Sequence, residues 1–535
     1  MKGFSLKERV PFREIMGFIL KDYQNLLNPL FYDPILDAKA QYDLFKNFSY
    51  RILTLITPTL LNELDNYDQK IYGYKLHTIL FKEFNPLHNP LYKPFLGILL
   101  NGGWEKTLKK TPLLKELLDL NVGYWVQYIT EIFDRVKSDL DLITPFTGMV
   151  PSDKKRYIKR LELDKGDLHN QQRSAAVLTF IHGKVVYKPN SAKINLAFCA
   201  LSDWLRSYNS PYVPKKVDCL DRGSYGWYKF IKKTSSKKLE TVRKYHNNLG
   251  ALTALTTVMG STDFHSENFL KTGVDPVVID AECLLSGNFL DQRSHGIFER
   301  CALRTGFFSY HMRCSKSYKE EAGIGLEFST DKKNRISAKS FSRLSKGNKQ
   351  AFLNGFLDMF SFLCSVKKPL LEALTSDEGA LRPFSEALIR IVYKGTAMYG
   401  QIVADSLFHL ENSRKMDNAL KNLPHPYWVV PKMTRSMRSQ EIKEMKTQNI
   451  PHFLIRADEV LYTPKFQKKK IKIFKKSPMD NFIQNVKNLS QASLKKQFFL
   501  VKSAVSGELG RPVLKSLFPK SKSRNFLRYF DCLTF

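Results

Sequence analysis

GSTDFHSENFLKTGVDPVVIDAECLL, residues 260–285, decides how the rest of the chain is read. Its first half is a short polar turn carrying Asp263, His265 and Asn268. Its second half is an apolar, strand-like run, Pro276 to Ile279, that delivers Asp280 and Glu282. A turn carboxylate can accept a hydroxyl proton. An Asn followed by a second Asp can hold Mg²⁺ against nucleotide phosphates. Polar turns also collect Asp, His and Asn as caps, so the turn by itself is only moderately specific. The strand adds to it: a buried strand ending in two acids is costly unless those carboxylates meet a metal or a cation. The stretch therefore points to phosphoryl transfer.

Upstream, AAVLTFIHGKVVYKP (175–189) is two β-rich runs joined by His182-Gly183, which predicts a hairpin. Lys188 ends the second run. A lysine on a small-lobe strand is the usual anchor for nucleotide phosphates, although strand-end lysines are also commonly just solvated. No GxxxxGK or GxGxxG precedes it, so the ATP-covering loop of an ordinary protein kinase is missing. GDLHNQQRS (166–174) sets Asp167 two residues before His169, with Arg173 four residues further on. An Asp-x-His pair can orient an imidazole as a general acid or base, and a capping turn is an equal reading. Downstream, RIVYKGT places Arg390 and Thr396 six residues apart. Arginine is the natural phosphate clamp and threonine a hydroxyl donor, but composition alone decides little here.

The frame around these motifs divides into regions. Residues 1–150 read as helical: RILTLITPTLLNELDNY (51–67) and VGYWVQYITEIFDRVKSDLDLI (122–143) space apolar residues at three and four. Residues 151–235 form a small β-rich part. Residues 236–430 are mostly helical and carry the motifs, with a Lys- and Ser-rich loop near 329–349. Residues 431–535 are helical and basic. There KFQKKKIKIFKK (465–476) reads as a basic strand facing an anionic partner, or as a solvated edge strand guarded by lysine. No internal repeat is found.

An excess of 84 Lys and Arg over 51 Asp and Glu gives +33, which favours polyanionic partners or simply solubility. Apolar residues make up 43% and aromatic ones 13%, a globular balance that excludes a disordered chain. The seven cysteines are dispersed, with no CxxC pair, so zinc-ribbon chemistry is excluded and reduced cytosolic thiols are expected. The charged N-terminus is not a signal peptide, and no run of eighteen apolar residues predicts a spanning helix.

Taken together and in order, these motifs resemble one family, the dehydratase portion of the class II lanthipeptide synthetases, the LanM-type lantibiotic-modifying enzymes. The resemblance is carried by GDLHNQQRSAAVLTFIHGKVVYKPNS, DRGSYGWYKFI, LGALTALTTVMGSTDFHSENFL, PVVIDAECLL, CALRTGFFS and RIVYKGTAMYGQIV. It is specific from 160 to 310. Weaker echoes run through the N-terminal third, EIKEMKTQNIPHF (441–453) and LSQASLKKQFFLVKSA (489–504).

The resemblance implies an α+β fold: a kinase-like, lipid-kinase-like two-lobed core embedded in large helical N- and C-terminal regions. It implies a cytoplasmic enzyme, the inner face of the membrane included, that uses ATP and Mg²⁺ and no zinc. Such enzymes phosphorylate Ser and Thr of a precursor peptide, then eliminate phosphate to leave dehydroalanine and dehydrobutyrine. By position, Asp263 would be the base toward the substrate hydroxyl and His265 would support its turn. Asn268 and Asp280 would hold Mg²⁺, and Glu282 would complete the site. Lys188 would bind nucleotide phosphates and serve elimination as well. Asp167, His169, Arg390 and Thr396 match the elimination set.

Two departures stand out. The chain stops at Phe535, where full-length synthetases continue into a cyclase, and no Cys neighbours a His. Ring closure by this chain is therefore not expected, and a separate cyclase is implied. Lys229 stands where the family carries an acid, which bears on nucleotide affinity if that acid pairs with the nucleotide lysine. The expected partners are a precursor peptide with an acidic leader and an export transporter, with no nucleic acid. A kinase-only relative or a degenerate scaffold is the alternative.

Overall fold

A computed structural model describes residues 6, 10–73, 86–148, 158–265, 267–289, 301–308, 310–315, 318–322, 329–330, 336–337, 344–421, 423, 431–506 and 533–534. Helix α1 (Ala38–Tyr72) starts at Asp37, whose side chain accepts from the Lys39 N–H, and ends at Gly73 with φ 79°. Helix α2 (Pro112–Thr147) begins on a proline, where a missing N–H costs nothing, and stops at Gly148 with φ 69°. The segments 51–67 and 122–143 are the middles of these two helices, which carry Pro58 and Pro145 inside them.

Behind α2 lies a five-stranded antiparallel sheet in the order β1-β2-β3-β5-β4: β1 (Arg160–Glu162), β2 (Ala176–Thr179), β3 (Lys184–Lys188), β4 (Cys219–Asp221) and β5 (Gly226–Lys229). Side chains alternate across a strand. Val185, Tyr187 and Trp227 turn into the core shared with the N-terminal helices. Lys184, Val186 and Lys188 therefore face the other way, into a cavity. Asp139 of α2, fully buried, pins the sheet by accepting from Trp227 Nε1 at 2.8 Å and the Tyr225 hydroxyl at 2.7 Å.

After α3 (Lys193–Ser207) comes α4 (Leu239–Met259), whose second half is buried throughout. It crosses α5 (Lys346–Ser365) at two glycines. A Cβ at Gly250 would lie 1.9 Å from the Phe352 carbonyl oxygen, and one at Gly355 would lie 1.8 Å from that of Asn247. No other residue allows this approach. The hairpin β6 (Phe269–Thr272) and β7 (Asp275–Val278) follows α4. Strand β8 (Leu388–Arg390) pairs antiparallel with β9 (Leu454–Arg456), and α6 (Thr396–Ser406) follows β8.

The basic run 465–476 divides in the structure. Residues 471–472 pair with 461–462, and Phe474 and Lys476 pair with Phe289 and Asn288. Ile473 and Phe474 are buried in the core, so the region from 431 onward is not helical throughout. Pairing with distant segments overrides local preference here. The loop expected at 329–349 is corrected where it is described: 329–330 pair antiparallel with 336–337, and 346–349 form the first turn of α5, capped by the Ser345 side chain; most of the rest lies outside the described residues.

Most buried side chains gather in two cores. One joins the N-terminal helices, the sheet, buried residues from 399 to 423, Met445 and Ile450; the other joins α3, α4, α5 and the hairpin with residues up to 505. No described helix is long and apolar enough to cross a membrane.

Candidate active site

Helix α4 ends at Gly260 with φ 78°, and the chain turns at once into the polar segment. Three anchors hold that turn: the Ser261 hydroxyl donates to Leu284 O (2.6 Å), Thr262 N to Cys283 O (3.0 Å) and Phe264 N to Thr305 O (2.8 Å). Phe264 is buried and stacks with Phe269 and Phe307. Asp263 itself sits at φ 62°. A left-handed backbone at an aspartate costs free energy and persists only where its surroundings enforce it. The Asn268 side-chain amide donates to the Asp263 carbonyl at 2.5 Å. Asn268 O in turn accepts from Ile279 N (3.0 Å) and Asp280 N (3.3 Å), so the end of β7 lies beside the turn.

Asp263, His265, Asn268, Asp280, Glu282, Lys188, Asp167, His169, Arg390 and Thr396 all line one cavity of about 1060 Å³. They reach it from the sheet, the turn, the hairpin, the 166–174 loop, β8 and the first turn of α6. Lys188 Nζ donates to Ile279 O at 2.8 Å, stands 3.9 Å from Asp280 Oδ1 and lies over the Tyr228 ring. Arg390 N donates to Glu282 O at 2.8 Å, and its guanidinium lies 3.9 Å from Asp263 Oδ2. His265 Nε2 is 3.7 Å from the other Asp263 oxygen. Gly395 precedes α6 and Thr396 is its first residue; both line the same space, at a helix start that has no side-chain cap and whose first N–H groups have no partner within the helix.

Burial and neighbours set opposite tendencies in these carboxylates. Burial raises the Asp263 carboxyl above the ordinary carboxylate value, against the pull of Arg390 and His265. Burial would also raise Glu282, but a hydrogen bond from His452, together with Arg390 and Lys188, outweighs it and holds Glu282 well below that value. The His169 imidazole is pushed well below its usual value by burial, then by His452 and Arg390. It is neutral at physiological pH.

Two expectations meet a different arrangement. The His169 ring is oriented by a backbone carbonyl rather than by Asp167: its Nδ1 lies 2.7 Å from Ile450 O, while Asp167 sits exposed on the rim. The loop reaches this pose through Asn170, Gln171 and Gln172, all at positive φ. Lys229 does not approach Lys188. It pairs with Asp218 at 3.1 Å, because the register sets Lys188 opposite Gly226 and Lys229 opposite Val185.

Sequence reasoning missed Asn190, His452 and Lys394. Asn190 Nδ2 donates to Glu282 Oε1 at 2.9 Å, and His452 Nε2 lies 3.2 Å from Oε2. The buried Lys394 lines the cavity and pairs with Glu441, which the Tyr399 hydroxyl also reaches. Asn190 and Lys394 sit in VVYKPNS and RIVYKGT without a distinguishing pattern. His452 is a single residue far from its partners.

Among the described residues, no group of three or more His, Cys, Asp and Glu side chains is placed to hold a metal. The Asn268 amide nitrogen is committed to the turn, which leaves its side-chain oxygen as the available ligand atom. Asp280 spends Oδ1 on Glu282 N at 3.2 Å and keeps Oδ2. Two hard oxygens suit a small divalent cation that takes its remaining ligands from water and phosphate.

The family described as a domain of unknown function (DUF4135) matches residues 112–329 and 326–456. Among curated proteins, the chain is 24% identical over 194 residues to the lacticin 481/lactococcin biosynthesis protein LcnDR2 of Lactococcus lactis subsp. lactis. That match covers 34% of this chain and 20% of the relative's length.

Proposed function

The chain belongs to the DUF4135 family, and we propose that it is a dehydratase of ribosomally made peptides. It is a relative of the lanthipeptide synthetases. In this reading it uses ATP to phosphorylate Ser and Thr side chains, then eliminates the phosphate to leave dehydroalanine and dehydrobutyrine. The observation that carries the reading is the shared cavity: the groups suited to attaching a phosphate and those suited to removing it line one wall-to-wall space. A peptide kinase would need only the first set. The relative's role in lacticin 481/lactococcin biosynthesis supports peptide modification as the setting.

The fold proposed with it is kinase-like and two-lobed, with the β1–β5 sheet bearing Lys188 as the small lobe and the helical part bearing Asp263 as the large one. ATP phosphates would lie against Lys188. Asn268 and Asp280 would hold Mg²⁺, which when bound shields the charge of the phosphates. Asp263 accepts the proton of the Ser or Thr hydroxyl as that oxygen bonds to the γ-phosphorus and the bond from phosphorus to the bridging oxygen breaks. Its raised carboxyl suits a base.

A hydroxyl is a poor leaving group and a phosphate ester a good one, so the second step starts from the product of the first. A base removes the Cα proton, the electron pair forms the Cα–Cβ double bond, and the Cβ–O bond breaks. His169 is suited to the base role: it is neutral, and Nδ1–H donation to Ile450 O leaves Nε2 with its lone pair. Arg390, the Thr396 hydroxyl and the first N–H groups of α6 are suited to receive the departing phosphate. A net charge of +33 suits a precursor with an acidic leader.

The test is to supply the intermediate. A phosphoserine-bearing precursor peptide with ADP and Mg²⁺ should lose phosphate and yield dehydroalanine. Recovery of unchanged phosphopeptide would reduce the protein to a peptide kinase.

A further inference from the structure

We propose that His452 is a positioning residue shared by both half-reactions, its Nε2–H fixing Glu282 and its ring face fixing His169. The proposal rests on the dehydratase reading above.

The geometry is specific. His452 is buried, and its Nε2 lies 3.2 Å from Glu282 Oε2. Its ring stacks on that of His169, with centroids 4.3 Å apart and planes inclined by 20°. The backbone holds it in place from both sides. His452 N donates to Glu444 Oε2 at 3.1 Å, and Ile391 N donates to the carbonyl of the next residue, Phe453, at 2.8 Å. The residue is thus fastened directly beside the strand that carries Arg390.

Each contact serves a different partner. Glu282 is clasped by Asn190 from the sheet side and by His452 from the opposite side. A buried carboxylate must find donors, and each Glu282 oxygen has one. His169 is clamped in its plane by the Ile450 carbonyl and over its face by His452, which fixes the direction of Nε2 into the cavity. His452 Nδ1 has no hydrogen-bond partner although it is buried. An orphaned buried nitrogen is a poor choice for packing alone, since phenylalanine would fill the same slab without that cost. The imidazole is retained where one nitrogen and one ring face are both needed.

The two contacts can be separated by substitution. His452→Phe keeps a flat ring over His169 and removes the donor to Glu282. His452→Gln keeps a donor and removes the ring. The test measures each half-reaction apart: phosphorylation of the precursor peptide with ATP and Mg²⁺, and phosphate loss from a supplied phosphoserine peptide.

The expected result is a double dissociation. His452→Phe slows phosphorylation by roughly tenfold or more, the loss expected for one hydrogen bond to a charged group, and affects elimination less. His452→Gln restores phosphorylation to within a few-fold, slows elimination and lets phosphopeptide accumulate. Parallel loss of both steps in both variants, tracking a lowered melting temperature, overturns the proposal. So do two variants with wild-type rates. The histidine tautomers, read by ¹⁵N NMR of the full chain, give a readout that does not depend on the peptide. His169 should be the Nδ1–H form in the wild type and in His452→Phe, and should lose that single form in His452→Gln. An unchanged His169 signal in His452→Gln also overturns it. If the wild type phosphorylates but never eliminates, the dehydratase reading fails, while the Glu282 contact is still decided by phosphorylation and the His169 contact by NMR.

Discussion

Asp263 brings together a left-handed backbone, a raised carboxyl and a guanidinium 3.9 Å away. Its removal should stop both steps, because elimination needs the phosphorylated peptide. With Asp263→Ala, mass spectrometry should return unmodified precursor, and normal dehydration by that variant would refute its role as base. Arg390→Ala and Thr396→Ala should instead leave the first step running and accumulate phosphopeptide, with elimination slowed by about a hundredfold if each acts on the departing oxygen. His169 makes a prediction about stability. Its folded imidazole resists protonation because it is buried beside His452 and Arg390, whereas the unfolded one titrates near the ordinary value of about 6.5. Above that pH both states are neutral and no stability is at stake. Below it the unfolded chain binds a proton that the folded chain refuses, so stability falls as the pH falls, by up to about 1.4 kcal/mol per unit. Urea melts at falling pH should show that slope in the wild type and a smaller one in His169→Gln. At this scale the cavity-lining motif residues were legible in sequence because they stand at short spacings in polar turns and at strand ends. His452 and Asn190 were not, since their partner Glu282 is brought to them only by the fold.

The element that sets the active turn in place is α4, and its position depends on the glycine crossing with α5. Gly250→Ala would drive a Cβ to 1.9 Å from the Phe352 carbonyl oxygen. The helices would have to part, and a loss of about 2–4 kcal/mol is expected. Gly123→Ala is the control: it lies exposed within α2 with nothing near its Cβ, and should gain about 0.5–1 kcal/mol. Thermal melts of the two variants should move in opposite directions. The β2–β3 hairpin was readable from alternation around His182-Gly183, a local signal. The pairings of β8 with β9 and of residues 474–476 with 288–289 were not readable, because each strand is short and its partner lies far along the chain. Nothing in KFQKKKIKIFKK marks Ile473 and Phe474 as core while its lysines stay in water.

Across the whole molecule, two hydrophobic cores meet around one cavity, and elements of each line it. The sheet that bears Lys188 belongs to the N-terminal core, and the turn with Asp263 grows out of the other. Composition foretold a globular, basic protein but not this division, because residues from 399 to 423, with Met445 and Ile450, rejoin the N-terminal core after a long excursion. The central claim is that one cavity both attaches and removes phosphate. It is met most directly by incubating the protein with ATP, Mg²⁺ and a Ser/Thr-rich precursor peptide and weighing the product by mass spectrometry. The account predicts a peptide lighter by one water for each residue modified; a stable phosphopeptide that never loses its phosphate would contradict it.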